Sequence, residues 1–470
     1  MFLGIEKHRK EKTAFIDDDK NTVTYQGVLD FCHTYSKNLK RRSLLFLLCQ
    51  NAAGAVINYL ACLENDIVPL LLNASMDEEL LAALCQKYKP EYLCIPTDSI
   101  DKHRALLGDG NIILEQYRYS VIEVSSVSCP MHDKLALLMS TSGSTGSSKL
   151  VRYSKENLEA NARNVAKVFE WTEKEKPICD LPMNYTMGLN VINSHLIVGA
   201  TVVLTDYNLM SPDYWNIVKQ EQCTNFTGVP FSYSILAKLR VQKMELPYLT
   251  TLAEGGGRLS ENEFRMWAEY ASQHGKRFFA TFGTTETSAR MAYLPPHLPM
   301  EKTGSIGIAI PEGELFLLDE DGKELKEIEA QGELGYRGPN VTLGYAVCRE
   351  DFQSGDVFCG EYHTGDIARR DQDGCYYIVG RKSRFIKLLG MRVSLDECER
   401  LIRDKMQIEN ICMGTDDKMV IYITSEERCD DVSHFISSKL RLYRSVFDVR
   451  YIKEIPRSES GKVLYQQLAV

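Results

Sequence analysis

The loop at residues 141–149 carries the most specific chemical signal in the sequence. It reads TSGSTGSSK and directly follows an apolar run at 135–139. An apolar run that leads into a glycine-rich turn predicts a buried strand, whose exit loop can bring backbone N–H groups, hydroxyls and the Lys149 ammonium to an anion. A flexible Ser/Gly linker is the other interpretation of this composition, but the position after a strand favours phosphate binding. The loop is not a Walker sequence, because Ser148 stands where that motif has glycine.

Four further polar segments, each containing or flanked by glycine, lie far apart along the chain. They are GGGRLS (255–260), FGTTET (282–287), YHTGD (362–366) and PRSESGK (456–462). With 141–149, and in this order, they resemble the motif set of the adenylate-forming, AMP-producing ligase superfamily. That superfamily includes acyl-CoA synthetases, luciferases and nonribosomal peptide adenylation domains. One motif alone would be weak evidence, whereas five in the family's order make the resemblance specific.

The resemblance implies a two-step reaction. A carboxylate attacks the α-phosphate of ATP, with Mg2+ on the triphosphate, and releases pyrophosphate. The acyl group then passes to a thiol, which is either CoA or the phosphopantetheine of a separate carrier protein. Two unit charges about 4 Å apart repel by roughly 1 kcal/mol in water and roughly 4 kcal/mol at a dielectric near 20, so the point of attack needs a cation. Lys462 matches the family's catalytic lysine that bridges the carboxylate and the α-phosphate; a solvated lysine near the chain end is the other interpretation.

Other site residues follow from the same motifs. Glu286 resembles the acid that holds Mg2+, and Thr285 resembles the catalytic hydroxyl beside it. Asp366 matches the carboxylate that accepts hydrogen bonds from both ribose hydroxyls, and Arg381 resembles the arginine that reaches ribose and phosphate. A solvated Glu, a turn Asp and a surface Arg are the structural alternatives. The remaining nucleotide-binding residues that the resemblance implies are Thr141, Ser142, Gly143, Ser144, Thr145, Gly146, Lys149, Gly255, Gly256, Gly257, Phe282, Gly283 and Thr284.

The acyl group is expected to bind at two segments, 181–190 and 227–232. Substrate-binding candidates are Tyr185, Gly188, His195 and Val229. Tyr185 matches the aromatic residue or histidine that gates the carboxylate in acyl-CoA synthetases. Enzymes that activate α-amino acids place an Asp at the position aligned with Gly188, so its absence favours a simple carboxylic acid. Core packing explains Tyr185 and His195 as an alternative, and for His195 the two interpretations are equally favoured.

Two other functions stay open at this point. One is an amino-acid adenylating ligase that serves a separate carrier protein. The other is a non-catalytic descendant that binds nucleotide as a scaffold. The retention of Lys149, Thr285, Glu286, Asp366, Arg381 and Lys462 disfavours it.

Composition excludes several classes of protein. With 44% apolar and 25% charged residues the chain is globular, and a net charge of −9 provides no general attraction for nucleic acid or an anionic membrane. The 14 cysteines include no CxxC pair, which predicts reduced thiols rather than disulfides or zinc. Without a signal peptide or a long apolar run, a cytoplasmic location is expected.

The pattern of elements predicts how these motifs are held. Strands and helices alternate between 43 and 95, and Ser154 is a plausible N-cap for a helix from 155 to about 169. Strands at 201–204 and 224–229 indicate a second α/β layer. Short strands with Asp-Gly turns follow after about residue 310, and a mixed α+β pattern follows residue 381.

A chain of 470 residues is too long to fold around a single hydrophobic core, so several domains are expected. The fold class is predicted to be a large α/β N-terminal domain at 1–381, with two parallel-sheet subdomains and a small β-rich region. A small mobile α+β domain is predicted at 384–470. Ser383 stands where the family has its hinge Asp, and Gly390 matches a glycine along the family's pantetheine tunnel.

Overall fold

The computed structural model of the chain describes residues 1–108, 110–140, 149–389, 391–415, 418–457 and 463–468. No helix within these ranges is long and apolar enough to cross a lipid bilayer. All of the cysteines are free thiols, and most of them are buried.

The first large sheet carries the strand that precedes the loop at residues 141–149. From edge to edge its strands are Tyr345–Ala346, Leu150–Tyr153, Leu137–Ser140, Val68–Asn73, Leu44–Cys49, Tyr92–Pro96, Tyr119–Glu123 and Asn111–Gln116. The central pairs are parallel, as the alternation of strands and helices predicts. Alternate residues of Leu44–Cys49 enter hydrophobic cores on opposite faces of the sheet, which explains its uninterrupted apolar sequence.

Both edges of this sheet are antiparallel, which the sequence did not predict. At one edge the strands Asn111–Gln116 and Tyr119–Glu123 are joined through Tyr117 and Arg118, whose φ angles are 51° and 60°. Two successive positive φ angles are the geometry of a tight two-residue hairpin. The usual sequence signal for this turn is Asn-Gly or Asp-Gly. Tyr117 and Arg118 occupy the turn positions instead, so the local sequence carries no hairpin signal here.

The second large sheet carries two of the motifs at its strand ends. They are GGGRLS (255–260), called the GGG loop below, and FGTTET (282–287), called the TTE motif. The strands of this sheet run in the order Ile308–Ala309, Ala292–Tyr293, Arg277–Phe282, Thr251–Glu254, Asn225–Gly228, Pro177–Cys179, Val202–Leu204, Thr13–Ile16 and Thr22–Thr24. Its inner pairs are parallel, so the loops that follow Thr251–Glu254 and Arg277–Phe282 leave the sheet at the same edge.

Helices flank these sheets along the N-terminal part of the chain. They are Tyr25–Asn38, Ala53–Glu64, Glu78–Tyr88, Arg104–Leu107, Lys155–Phe169, Thr186–Leu196, Pro212–Gln220, Pro230–Lys238 and Glu261–Gln273. Ser154 caps Lys155–Phe169 as predicted, in a reciprocal capping box with Asn157.

The β-rich region is an antiparallel sheet of Glu314–Leu318, Ala330–Arg337, Glu361–Arg370 and Tyr376–Arg381. After it come the strand pair Phe385–Leu388 and Met391–Ser394, the sheet of Asn410–Thr415, Lys418–Ile423 and Phe447–Tyr451, and the helices Leu395–Met406 and Cys429–Leu440. A hydrophobic core with its own buried residues holds these last elements together. The predicted boundary at 381/384 falls at the short 3-10 helix Lys382–Arg384, between the two sets of sheets.

Candidate functional site

Lys149, at the end of the loop 141–149, and Glu286, in the TTE motif, both contact Tyr345. The strand Tyr345–Ala346 pairs with Leu150–Tyr153, which places Tyr345 beside Lys149. The Lys149 ammonium lies 3.2 Å from the centre of the Tyr345 ring. The Tyr345 hydroxyl donates to Glu286 Oε1 at 2.7 Å. A cation and a carboxylate from distant parts of the chain are therefore held on one aromatic side chain.

The YHTGD motif lies next to the same cluster. The hydroxyls of Tyr345 and Tyr362 are 3.4 Å apart, and Tyr362 lies on the strand Glu361–Arg370 together with Asp366. Burial, followed by the nearby Glu286 carboxylate, raises the pKa of Tyr362, and Asp366 contributes in the same direction. Through Tyr345 and Tyr362, the motifs that carry Lys149, Glu286 and Asp366 thus lie close to one another.

Asp366 faces Arg381 across two neighbouring strands. The two residues are paired in the antiparallel register, and Arg381 Nε lies 3.2 Å from Asp366 Oδ1. Asp366 is 4% exposed, whereas the Arg381 side chain is 66% exposed. Burial raises the pKa of Asp366, and Arg381 partly opposes the rise. The pair offers a buried two-oxygen acceptor beside an accessible guanidinium.

The loop that carries Glu286 is fixed by bonds to its backbone. Phe282 ends the preceding strand, Gly283 follows it, and Thr284 and Thr287 form a reciprocal capping box around a short 3-10 turn. The Thr285 carbonyl accepts a hydrogen bond from the Tyr153 hydroxyl at 2.6 Å. The backbone of the turn is therefore held at both sides, and the hydrogen bond from Tyr345 orients the Glu286 carboxylate.

The GGG loop lies against the predicted acyl-binding residues. The Gly255 N–H donates to the carbonyl of Gly228, and Gly257 lies beside Pro230. Gly256 has φ of +77°, and a Cβ atom there would lie 2.4 Å from the Tyr185 hydroxyl. Only glycine satisfies both conditions. Tyr185 and Val229 form a small buried cluster with Leu181 and Met187, so two of the predicted acyl-binding residues do come together.

His195 belongs to the core instead. Its Nδ1 lies 2.8 Å from the Val191 carbonyl, and Asn225 Nδ2 lies 3.2 Å from its Nε2. The ring stacks against Trp171, and burial lowers the pKa of His195 to about 3. Because both ring nitrogens have protein contacts, the structure favours core packing, one of the two interpretations that the sequence left equally open for His195.

Gly188 also differs from its expected role. A Cβ atom at this position would lie 2.3 Å from the Pro182 carbonyl oxygen and 2.4 Å from that of Leu181. The position therefore faces backbone and has no room for any side chain. The lack of an Asp at 188 has a steric cause, so it gives no information about an amino group on the substrate.

Residues that the sequence did not single out complete the site. Tyr345 sits in a region without a motif, and only strand pairing brings it to Lys149. Tyr362 lies inside YHTGD and could have been found there. Glu254 directly precedes the GGG loop, and a charged residue at the end of a buried strand was an available signal.

Three groups of predicted site residues lie outside the described residues. They are 141–148 in the phosphate loop, the pantetheine-tunnel Gly390, and the catalytic Lys462. Their roles stay predictions.

The family model for AMP-binding enzymes matches residues 5–346. The chain belongs to this family. The match covers the strands and loops that carry Lys149, Tyr185, Gly256 and Glu286.

Several relatives of this family member are CoA ligases. The indoleacetate–CoA ligase of Aromatoleum aromaticum is 28% identical over 341 residues, covering 70% of this chain and 65% of the relative. The sulfoacetate–CoA ligase of Cupriavidus necator is 29% identical over 71% of this chain and 66% of the relative. The chain thus spans just under two thirds of the length of both. The 2-succinylbenzoate–CoA ligase of Listeria monocytogenes is 23% identical over 92% of this chain and 90% of the relative.

Solved structures confirm the predicted fold class. MenE from Bacillus subtilis, in complex with ATP and magnesium ion, has a TM-score of 0.78 at 22% identity, over 99% of this chain and 98% of that one. ATP-bound MatB from Rhodopseudomonas palustris has a TM-score of 0.79 at 20% identity, over 99% and 97%.

The groups around Glu286 fit a magnesium ion. Within the described ranges, no three His, Cys, Asp or Glu side chains gather in an arrangement that could hold a metal by themselves. Glu286 offers the carboxylate that contacts Tyr345 beside Lys149. Mg2+ in nucleotide sites is commonly held by one or two carboxylates together with phosphate oxygens and water, so a single buried Glu is a suitable protein ligand.

Proposed function

We propose that the protein activates a small carboxylic acid with ATP to form an acyl-adenylate and pyrophosphate, and then transfers the acyl group to a thiol. The observation that carries the proposal is the cluster of Lys149, Tyr345, Glu286, Tyr362 and Asp366. It brings together groups from separate motifs that are suited to phosphate, metal and ribose.

Each described residue has a task in this proposal. The Lys149 ammonium contacts phosphate oxygens, Glu286 holds the magnesium ion, and Asp366 accepts hydrogen bonds from the ribose hydroxyls. When bound, Mg2+ neutralises phosphate charge. The Arg381 guanidinium is proposed to reach both the ribose and the phosphates, because its side chain is 66% exposed beside Asp366.

The acid is proposed to bind beside the GGG loop. Tyr185 and Val229, clustered with Leu181 and Met187, are proposed to form the apolar wall of this site. The Lys462 ammonium is proposed to neutralise the carboxylate and the α-phosphate as they meet. We propose CoA as the acceptor thiol, since the named relatives are CoA ligases.

An ATP–pyrophosphate exchange assay with a broad panel of acids tests the first step. Exchange that depends on an added acid is expected, with CoA then consumed in the presence of that acid. ATP binding without exchange for any acid would contradict the proposal and favour the scaffold alternative. Exchange without CoA consumption would direct attention to a carrier protein.

A further inference from the structure

One buried carboxylate beside the candidate acyl site has no role in the reaction above. Glu254 is the last residue of the strand Thr251–Glu254 and directly precedes the GGG loop. In the parallel register it lies next to Gly228 on one side and Ala280 on the other. Its backbone carbonyl accepts a hydrogen bond from Thr281 Oγ1 at 2.7 Å, which fixes the strand end.

The Glu254 carboxylate is not satisfied by the protein. The residue is 4% exposed, and its Oε1 is buried without a hydrogen-bond partner. Burial raises the pKa of Glu254 well above its ordinary value, and Arg258 opposes this only in part. Arg258 itself donates to the Ile378 carbonyl at 3.1 Å. Buried polar atoms are nearly always paired in folded proteins, so an unpaired oxygen at a site calls for a ligand.

The carboxylate lies close to the residues that form the proposed acyl pocket. After burial, the Glu254 carboxylate is the next cause that raises the pKa of Tyr185, to about 12. The same carboxylate contributes to the raised pKa of Tyr233, on the helix that Val229 caps. Because Gly255 and Gly256 carry no side chains, nothing from these residues separates Glu254 from Tyr185.

We infer that Glu254 recognises a protonated amino group on the acid that the enzyme activates. The inference rests on the proposed function and specifies its substrate class. An ammonium supplies both hydrogen-bond donors and the charge that a buried carboxylate needs, whereas a hydroxyl supplies only a donor. The steric reason for Gly188 removes the earlier argument against such a substrate.

A buried cation nearby suggests the competing class, a dicarboxylic acid. Arg290 is 2% exposed and also influences Tyr185. Its Nε, like Glu254 Oε1, is buried without a hydrogen-bond partner. The rest of the guanidinium is engaged, since Nη1 donates to Asn190 Oδ1 at 2.7 Å, Nη2 lies 3.5 Å from Thr227 Oγ1, and the group lies 4.9 Å from the Phe169 ring centre. Arg290 therefore has more of its polar atoms satisfied by the protein than the Glu254 carboxylate has, which favours the amino acid over the diacid.

Matched acids in the exchange assay test the inference. Glycine, β-alanine, 4-aminobutyrate and 5-aminopentanoate are compared with acetate, propionate, butyrate and pentanoate, and with succinate. We expect the wild-type protein to prefer the amino acid in at least one pair by about 10-fold or more in kcat/KM, the order of one charge-assisted contact.

The variant Glu254→Gln keeps the shape and removes the charge. It should lower kcat/KM for the preferred amino acid by at least about 10-fold and change that of its uncharged counterpart less than about 3-fold. The control Glu269→Gln removes an exposed carboxylate from the following helix and should change neither. Unchanged ATP affinity in Glu254→Gln would show that the fold is intact.

Several outcomes would overturn the inference. Uncharged acids preferred in every pair, or equal losses for both acids in Glu254→Gln, would contradict it while the proposed function stands. Preference for succinate would assign recognition to Arg290. No exchange with any acid would contradict the inference together with the proposed function.

Discussion

At the residue scale, three buried carboxylates lie in or beside the motifs of the candidate site. Glu254, Glu286 and Asp366 are each less than a tenth exposed; Glu286 and Asp366 belong to the FGTTET and YHTGD motifs, and Glu254 directly precedes GGGRLS. Burying a carboxylate is unfavourable unless something pairs it, and most acidic side chains in proteins are therefore exposed. Tyr345 satisfies Glu286 and Arg381 satisfies Asp366 in part, whereas Glu254 Oε1 has no partner.

We predict that Asp366→Asn weakens ATP binding by about 10-fold, because an amide accepts fewer hydrogen bonds from the ribose hydroxyls. Burial raises the pKa of Asp366, so the wild-type carboxylate becomes protonated on acidification at a higher pH than an ordinary aspartate. ATP affinity of the wild type should therefore fall as the pH is lowered, whereas that of Asp366→Asn should stay level. Calorimetry from pH 8 to 5 measures both.

The exposed Asp321→Asn in a distant turn serves as the control for this prediction. It should bind ATP like the wild type at every pH. Equal ATP affinity of Asp366→Asn and wild type at pH 8 would remove Asp366 from the ribose site.

Lys462→Ala is predicted to slow adenylation by at least about 100-fold and to leave ATP affinity nearly unchanged. The ammonium is expected to act on charge that develops in the transition state, and such a contact is worth about 3 kcal/mol. Pyrophosphate exchange and ATP titration separate the two effects. Lys453→Ala, at an exposed position in the same segment, should exchange normally; similar losses in both variants would argue against a specific role for Lys462.

At the element scale, loops at one end of the parallel strands gather the motifs. The strands Thr251–Glu254 and Arg277–Phe282 lie side by side and point the same way, so the GGG and TTE loops emerge together. The edge strand Tyr345–Ala346 then connects this end to the first sheet. Parallel sheets commonly bind ligands at this edge, because the loops there approach one another.

We predict that Gly256→Ala lowers kcat/KM for the acid by at least about 10-fold. Alanine at this positive φ costs about 1 kcal/mol in backbone strain, and its Cβ would also displace the Tyr185 hydroxyl. Gly322→Ala is a matched control, because Gly322 has φ of +80° and no atom within 4 Å of the added Cβ. Gly322→Ala should lose about the same stability through backbone strain and keep its activity. Kinetics of ATP–pyrophosphate exchange on both variants would show this. Equal kinetics of Gly256→Ala and wild type would place the acid elsewhere.

At the scale of the whole molecule, the C-terminal elements pack around a separate core next to a charged junction. Arg384 contacts Glu399, lies 2.5 Å from Asp396, and donates to the Cys412 carbonyl at 3.1 Å. The backbone N–H of Arg381 donates to the carboxylate of the same Asp396 at 2.8 Å, while the Arg381 side chain reaches Asp366. Arg384 therefore belongs to the C-terminal part, and Arg381 links both parts. Rotation about Ser383, between them, stays a prediction.

Arg384→Ala is predicted to destabilise the C-terminal part by about 3 kcal/mol, because it leaves the largely buried Glu399 side chain, 13% exposed, without its cation. Hydrogen exchange of the segment 410–423 should become faster. Arg444→Ala breaks an exposed pair with Asp430. It should change the free energy of opening of this segment, measured by hydrogen exchange, by less than about 1 kcal/mol. Unchanged protection in Arg384→Ala would show that the junction does not stabilise this part.

The sequence alone determined the features that depend on neighbouring residues. Strand and helix alternation, the Ser154 cap and the family motifs are all visible within short windows, since periodicity and capping are local properties. Family membership followed from those motifs, and it is confirmed.

Only the tertiary structure decided which distant residues meet. Strand pairing brought Tyr345 to Lys149, core packing occupied both nitrogens of His195, and close backbone explained Gly188. It also left Glu254 Oε1 unpaired beside the GGG loop. Such outcomes depend on sheet order, register and burial, which link residues far apart in the chain and leave no mark in the local sequence pattern.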